Sequence, residues 1–125
     1  MLDRANRVTR PVDFRSAVRR GRRVVTPSFT LHVLQRSSVH SAIPGGDGVE
    51  LDPTRFGFIV TKAVGGAVVR NKVRRRLRAV SRELLPSLGD GRDIVMRALP
   101  GSDKLEWATL HAEIAGALSR TVSRG

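Results

Sequence analysis

Side chains alternate between two faces in two segments of the chain, which is the pattern of strands that bury one face of a sheet. In the first of them, residues 29–34, Phe29, Leu31 and Val33 alternate with Thr30 and His32, and the second covers residues 55–62. Two further short segments, residues 22–26 and 93–99, each end at a proline and also indicate strands. The sequence therefore predicts four strands.

Apolar residues three and four apart predict three helices. The first starts at residues 9–11 and stops at Gly21, and the longest covers residues 66–85 and stops at Pro86. The last opens with a capping box at residues 103–106. The element order is therefore αβββαβα, which predicts an α+β fold with the helices packed on one face of a small mixed sheet, a two-layer sandwich.

The length of 125 residues fits one domain, and we assign residues 1–125 to it. Residues 37–54 are rich in Ser, Pro and Gly and lie between two predicted strands, so we interpret them as a loop inserted into that domain. We expect residues 120–125 to form a flexible tail. Trp107 heads the apolar side of the last helix, which predicts that it lies in the core.

Composition excludes several kinds of protein. The chain has no Cys, which excludes disulfide scaffolds, thiolate metal sites and thiol catalysis. No apolar run approaches the roughly 18–20 residues of a membrane span, and the N-terminal residues lack the apolar core of a signal peptide. We therefore expect a cytoplasmic protein.

The charge is strongly positive and unevenly placed. Lys and Arg number 23 against 11 Asp and Glu, a formal net charge of +12. Residues 1–36 carry nine basic and two acidic groups, and residues 55–89 carry nine basic groups and only Glu83 as an acid. Because the other segments are acidic or neutral overall, the whole excess lies in these two, which predicts a binding surface for a polyanion.

Residues 70–78 carry six cationic groups, and helical geometry separates most of them from the apolar residues. At roughly 100° per residue, five apolar residues share a stripe about 80° wide: Val69, Val73, Leu77, Val80 and Leu84. Five polar residues share a separate arc of about 140°: Arg70, Asn71, Arg74, Arg75 and Arg78. One side of this helix can therefore dock on a sheet while the other presents guanidinium groups.

Like charges in this helix stand at neighbouring positions, as Arg70 does with Arg74. Each such pair costs a few tenths of a kcal/mol, and together they cost about 1–3 kcal/mol at low salt. A lattice of phosphates would turn this repulsion into attraction, because the planar guanidinium group matches phosphate with two hydrogen bonds. The helix predicts nucleic-acid binding, and it does not distinguish RNA from DNA.

The other ionisable residues do not form a catalytic or metal-binding set. The three histidines are scattered and have no Asp or Glu at ligand spacing: His32, His40 and His111. The acids of the two basic segments make a poor two-metal set: Asp3, Asp13 and Glu83. We therefore assign no catalytic residue and no metal ligand, and a nuclease that acts by protein alone is disfavoured.

Residues 70–78 and the segments around them make the chain resemble the protein subunit of bacterial ribonuclease P. The hallmark of that family is an Arg-Asn-Arg-like helix of this composition. Residues 61–68, Thr-Lys-Ala-Val-Gly-Gly-Ala-Val, stand where that family has Ser/Thr-Lys-Lys-x-Gly-Asn-Ala-Val after a strand. The resemblance runs over most of residues 4–120. Three further segments match in the right order: residues 13–14 with Gly21, residues 29–33 and residues 91–95.

The resemblance implies a fold like domain 2 of ribosomal protein S5, with a left-handed βαβ crossover that the general rule disfavours. It implies two partners, the catalytic RNA of ribonuclease P and the single-stranded 5′ leader of precursor tRNA, in a 1:1 protein–RNA complex. It further implies that the RNA, with Mg²⁺ held mainly by that RNA and no organic cofactor, removes the leader to give mature tRNA 5′ ends.

The resemblance also gives roles to named residues. Seven are expected to contact RNA: Lys62, Arg70, Asn71, Lys72, Arg74, Arg75 and Arg78. Four are expected to line a leader cleft between the first helix and the sheet: Phe14, Val18, His32 and Phe56. Phe14 and His32 are candidate platforms for unstacked bases, at about 1–3 kcal/mol per base, and core packing is the open alternative for Phe14. His32 stands where the family often has Tyr, and Val18 where a second aromatic is common.

Two other interpretations remain open. One is a non-catalytic RNA-binding protein of related fold, ribosomal or assembly-associated, and the other is a nucleoid-type DNA-binding protein. Both would use the arginine helix and neither would need a leader cleft. Stimulation of 5′ cleavage by the catalytic RNA at low magnesium separates the ribonuclease P subunit from both.

Overall fold

Four strands form one sheet in the computed structural model, which describes residues 2–36 and 53–122. Their bounds are Arg22–Val25 (β1), Phe29–Gln35 (β2), Arg55–Ile59 (β3) and Arg92–Ala98 (β4). The third strand stops earlier than the alternation predicts, because a hydrogen-bonded turn closes at residues 61–64.

The sheet is mixed, with the strand order β1-β2-β4-β3. β1 with β2 and β2 with β4 are antiparallel pairs, whereas β3 and β4 are parallel. Parallel neighbours require a long crossover connection, and here it contains the longest helix, α2 (Ala67–Leu88).

Two further helices complete the fold, α1 (Pro11–Arg20) and α3 (Trp107–Val122). Short 3-10 turns occur at Arg4–Asn6 and Ser102–Lys104. The predicted element order αβββαβα and the α+β class are confirmed.

The main core lies between one face of the sheet and the helices α2 and α3. Apolar side chains of all three elements meet there and exclude water, as the apolar stripe of α2 predicts. Its largest fully buried members are Phe29, Phe56, Leu31, Leu77, Ile94, Met96, Leu110 and Ile114.

The helix α1 lies against the other face of the sheet. A Cβ atom built at Gly57 would come within 2.5 Å of the Phe14 ring, and Gly57 points away from the main core because its neighbours along β3 point into it. Ala17 of α1 and Val95 of β4 are both fully buried. The expectation that all helices share one face therefore holds for α2 and α3, whereas α1 covers part of the opposite face.

Two helix ends differ from the sequence prediction. The longest helix continues through Pro86 to Leu88 before Gly89, at φ 69°, ends it. Pro86 has no N–H group, so one backbone hydrogen bond of the last turn is missing. The last helix starts at Trp107, because the predicted capping box falls partly in the turn at Ser102–Lys104.

Trp107 is not a core residue. It is 39% exposed, and its ring centroid lies 6.0 Å from that of the partly exposed His111. Helical side chains lean toward the N-terminus of their helix. The ring of the first residue of α3 therefore extends past the helix end, and Leu110 and Ile114 are the residues that fill the core.

Parts of the predicted loop and tail can be located. Residues 37–52 and 123–125 lie outside the described residues. Thr54, at the end of the predicted loop, is fully buried and its hydroxyl donates to the Gly89 carbonyl at 2.7 Å. Residues 120–122 belong to α3 and not to a tail.

Within the described ranges, no helix has the length and apolar content needed to cross a membrane.

Candidate nucleic-acid interface

The helix α2 places its apolar and cationic residues on two faces. Val73, Leu77 and Val80 are fully buried on the core side. The other side, which we call the α2 face, borders an open hollow of about 680 Å³ that is lined by Val68, Asn71, Arg74, Arg75 and Arg78. The structure thus brings four of the predicted RNA-contacting residues together around one hollow.

The Arg74 guanidinium is already oriented by two acceptors. It donates a hydrogen bond to Asn71 Oδ1 at 3.2 Å and one to the Val60 carbonyl at 3.4 Å, just beyond β3. Asn71 therefore positions an arginine of the α2 face as well as presenting its own amide. Because this guanidinium is held before binding, less side-chain entropy is lost when it meets a phosphate.

Arg70 and Arg78 each have a donor without a protein acceptor. Their Nε atoms are shielded from solvent, and no hydrogen-bond acceptor for them occurs among the described residues. Each of these two guanidinium groups therefore has hydrogen-bonding capacity that the described residues do not use.

Lys72 and Arg76 differ from the arginines of the α2 face. Lys72 is exposed, and helical geometry places it about 60° beyond Arg75, at the margin of the α2 face. Arg76 donates to the Leu105 carbonyl at 2.5 Å and so ties α2 to the segment that precedes α3. Arg76 therefore has a structural role within the protein, although it is one of the six cationic groups of residues 70–78.

Lys62 lies exposed in the connection between β3 and α2. This connection passes close to the helix at Gly65, where a Cβ atom would come within 2.8 Å of Val69 Cγ1. A glycine is thus required for the close approach. The chain places Lys62 two residues after Val60, whose carbonyl binds the α2 face.

The sheet face that carries α1 forms a second candidate surface, which we call the cleft face. One row of residues crosses it in register from edge to edge: Arg23, His32, Val95 and Gly57. The half-buried Phe14 ring covers the Gly57 end of this row. Val18, one turn further along α1, is 41% exposed and offers an apolar contact beside the row.

His32 forms part of the floor of the cleft face. It is 7% exposed, and its Nδ1 atom has no hydrogen-bond partner among the described residues. Burial lowers the pKa of His32 below its ordinary value of 6.5, and the charges of Arg23 and Arg97 lower it further. The imidazole is therefore neutral at neutral pH.

Phe56 does not line the cleft face, so this part of the sequence prediction is wrong. It is 1% exposed and belongs to the main core, where its strand neighbour in register is Ile94. Successive residues of a strand point to opposite faces, so Gly57 is the residue of β3 that faces the cleft. Alternation along β3 separates Phe56 from Gly57, and it does not show which of the two sides becomes the core.

Two arginines flank His32 on the cleft face. Arg23 is its partner in register on β1, and Arg97 lies on β4 opposite Thr30. Both side chains are exposed. The sequence did not single out Arg23 or Arg97 for a contact, because the charge pattern does not show which face of a strand a residue occupies.

A cluster of paired charges fixes α1 to the sheet, and the sequence did not reveal it. Arg55 donates to both carboxylate oxygens of Asp93, at 2.8 and 2.7 Å, and lies 3.5 Å from Asp13 of α1. Arg36 Nε lies 3.3 Å from the same Asp93 carboxylate. These contacts hold the first turn of α1, and with it Phe14, over the β3–β4 end of the cleft face.

Known proteins match this chain along nearly its whole length. The profile of the family described as Ribonuclease P matches residues 2–122. The ribonuclease P protein component of Clavibacter michiganensis is 50% identical over 122 residues, which cover 98% of this chain and 97% of that protein. The corresponding protein of Streptomyces avermitilis is 46% identical over 125 residues, with 100% and 98% covered.

Solved structures show the same fold at lower sequence identity. A Staphylococcus aureus RNase P protein mutant with defective mRNA degradation activity has a TM-score of 0.75 at 22% identity, covering 93% of this chain and 87% of that chain. The RNase P protein from Thermotoga maritima has a TM-score of 0.73 at 20% identity, with 91% and 96% covered. The profile match and the relatives together establish that this chain belongs to the ribonuclease P protein family.

Proposed function

We propose that this chain is the protein subunit of a ribonuclease P ribonucleoprotein and that it binds two RNAs on two surfaces. The catalytic RNA contacts the α2 face, and the 5′ leader of precursor tRNA lies on the cleft face. The observation that carries the proposal is the α2 face itself, whose arginines have no carboxylate partner within residues 2–36 and 53–122. Family membership supports this function over the two alternatives left open by the sequence.

In this proposal the catalytic RNA performs the hydrolysis, and the protein binds and orients the RNAs. The described residues contain no group of three His, Cys, Asp or Glu side chains that could hold a metal ion. Asp13 and Asp93 are already engaged by Arg55. The described side chains therefore do not fit a protein-built magnesium site, and Mg²⁺ would be held mainly by the catalytic RNA.

The α2 face suits a lattice of phosphates. It runs from Arg70 to the exposed Arg82, about 18 Å at 1.5 Å per residue. Neutralising about six phosphates would give a slope of about −5 for log K against log salt. Binding would also offset the repulsion between like charges that the free helix carries. The proposed complex with the catalytic RNA contains one copy of each.

The cleft face suits a single strand. Phe14 and Val18 offer apolar contacts to unstacked bases, while Arg23 and Arg97 provide charge for the backbone. Lys62 lies in the connection between the cleft strand β3 and α2, so it would meet the leader close to the catalytic RNA. This proposed function is consistent with the cytoplasmic location expected from the sequence.

Reconstitution tests the proposed function. The purified chain is added to a bacterial ribonuclease P RNA with precursor tRNA at low magnesium, and 5′ cleavage is measured with and without protein. We expect strong stimulation by the natural chain and by a Lys104→Gln control, because Lys104 is exposed outside both surfaces. Binding to the RNA without stimulated cleavage, or equal affinity for random duplex DNA, would contradict the proposal.

A further inference from the structure

A third basic surface lies at the β1 edge of the sheet. It borders a hollow of about 320 Å³ lined by Arg22, Arg23, Val24, Val25, Arg120 and Thr121. The last turn of α1 adds two exposed arginines beside the start of β1. We call the five arginines of this region the edge patch: Arg19, Arg20, Arg22, Arg23 and Arg120.

Four of the arginines of the edge patch have no carboxylate partner among the described residues: Arg19, Arg20, Arg22 and Arg23. The fold does pair arginines where they have a structural role, as the contacts of Arg55 with Asp93 show. A concentration of like charge without partners repels itself and attracts a polyanion.

The backbone of β1 adds donors to these charges. In the described sheet, β1 pairs with β2 on one side only and is an edge strand. The outward N–H groups of an edge strand have no ladder partner, and backbone N–H groups are common ligands of nucleic-acid phosphates. Guanidinium and amide donors therefore occur together at this edge.

The position of the edge patch separates it from the α2 face and joins it to the cleft face. The α2 face adjoins the β3 side of the sheet through the Arg74 contact with Val60, whereas β1 is the opposite edge. Three strand spacings, about 14 Å, lie between these edges. Arg23 of the edge patch is the register partner of His32 in the floor of the cleft face. A strand that crosses the cleft face from the β3 side would therefore arrive at the edge patch.

We infer that the edge patch binds the ribose–phosphate backbone of single-stranded RNA that leaves the cleft face at β1. This inference rests on the proposed function, because it takes the cleft face as an RNA path. The backbone bound there is the upstream part of a long leader, because the leader is the strand that the proposed function places on the cleft face.

Charge variants outside the α2 and cleft faces test the inference. The variants are Arg22→Glu and the milder Arg20→Gln/Arg22→Gln, with Lys104→Glu and Lys104→Gln as matched controls at an exposed lysine. Binding of the free chain to a 15-nucleotide oligouridylate is measured against salt. For Arg20→Gln/Arg22→Gln we expect the slope of log K against log salt to become shallower by about 0.7 per lost contact. The Lys104 variants should keep the natural slope.

Holoenzyme measurements then identify the source of the phosphates. Affinity is measured for precursor tRNAs with leaders of 3 and 15 nucleotides, and so is assembly with the catalytic RNA. Loss confined to the long leader supports the inference, whereas weaker assembly with the catalytic RNA at both leader lengths would assign the edge patch to that RNA and overturn the inference. If the edge variants match the Lys104 controls in every measurement, the inference is overturned. Failure of the natural chain to stimulate cleavage would instead count against the proposed function, while the oligouridylate slope would still report on the edge patch.

Discussion

The Phe14 ring lies directly on the backbone of β3 at Gly57, where an added Cβ atom would come within 2.5 Å of Phe14 Cε1 and 2.8 Å of Cζ. The glycine therefore leaves the space that the aromatic ring of α1 occupies. This contact, together with the Asp13 carboxylate beside Arg55, sets how closely α1 approaches the sheet at the β3 end of the cleft face.

Gly57→Ala should change the structure of the cleft face and leave the α2 face unchanged. The new methyl group displaces Phe14, and overpacking of this kind costs about 1–3 kcal/mol in the free energy of unfolding. We expect weaker binding of precursor tRNA with a long leader and unchanged binding of the catalytic RNA. Chemical denaturation and the two affinities check the prediction.

Gly116→Ala is the matched control for that substitution. An added Cβ atom at Gly116 of α3 has no neighbour within 4 Å. Alanine also favours a helix over glycine by about 1 kcal/mol, so stability should stay equal or rise. If both variants bound the leader equally well, the contact of Phe14 with Gly57 would not shape the binding surface.

Arg74→Ala and Arg78→Ala should each weaken assembly with the catalytic RNA while the fold stays intact. Neither residue lies on the buried stripe of α2, so the fold should stay intact. We expect a stability loss of about 1 kcal/mol or less for Arg74, which donates to the Val60 carbonyl at 3.4 Å, and a smaller change for Arg78. Each lost phosphate contact should make the salt slope shallower by about 0.7–0.9. Unchanged cleavage at low magnesium in both variants would contradict the role of the α2 face.

Arg76→Ala should lower the stability of the protein without weakening RNA binding, so it serves as the control in the same helix. Its guanidinium donates to the Leu105 carbonyl and does not line the hollow of the α2 face. We expect a loss of about 1–2 kcal/mol in stability from this charged hydrogen bond and a salt slope close to the natural one.

Asp93→Asn should destabilise the protein far more than Asp13→Asn. The Asp93 side chain is 3% exposed and is bound by Arg55 and Arg36, so its neutralisation removes the carboxylate that both arginines share. Breaking such a pair costs about 3 kcal/mol, whereas the longer and more exposed contact of Asp13 contributes less than about 1 kcal/mol. Urea denaturation of both variants measures the difference, and equal losses would contradict this account of the cluster.

Stability should fall as the pH drops below 6.5 because of His32. Its folded-state pKa is lowered, mainly by burial and also by Arg23 and Arg97, so the unfolded state takes up the proton first. The contribution of neutral His32 to the free energy of unfolding is complete above pH 6.5 and declines below it. It stops changing once His32 of the folded state is protonated as well. His32→Tyr lacks this titration, so the difference between the two proteins in denaturation at about pH 7.5 and 5.5 isolates it. An identical pH dependence would contradict the prediction.

Local periodicity was enough to predict the element order and the two sides of α2. Val73 and Leu77 are buried and Arg74 and Arg75 border the hollow because a helix fixes the relative directions of residues three and four apart. The prediction was wrong for Phe56, because alternation shows that Phe56 and Gly57 face opposite sides without showing which side becomes the core.

The sequence by itself determined the positive charge, the four strands and an amphipathic helix with a cationic side, since each depends on neighbouring residues along the backbone. Only the tertiary structure decided which sheet face α1 covers, and it brought Asp13 to Arg55, 42 positions away. It also placed Arg22 and Arg120 on one hollow at the β1 edge. Contacts of this kind arise from how distant segments pack on a shared core, and periodicity along the chain carries no information about that pairing.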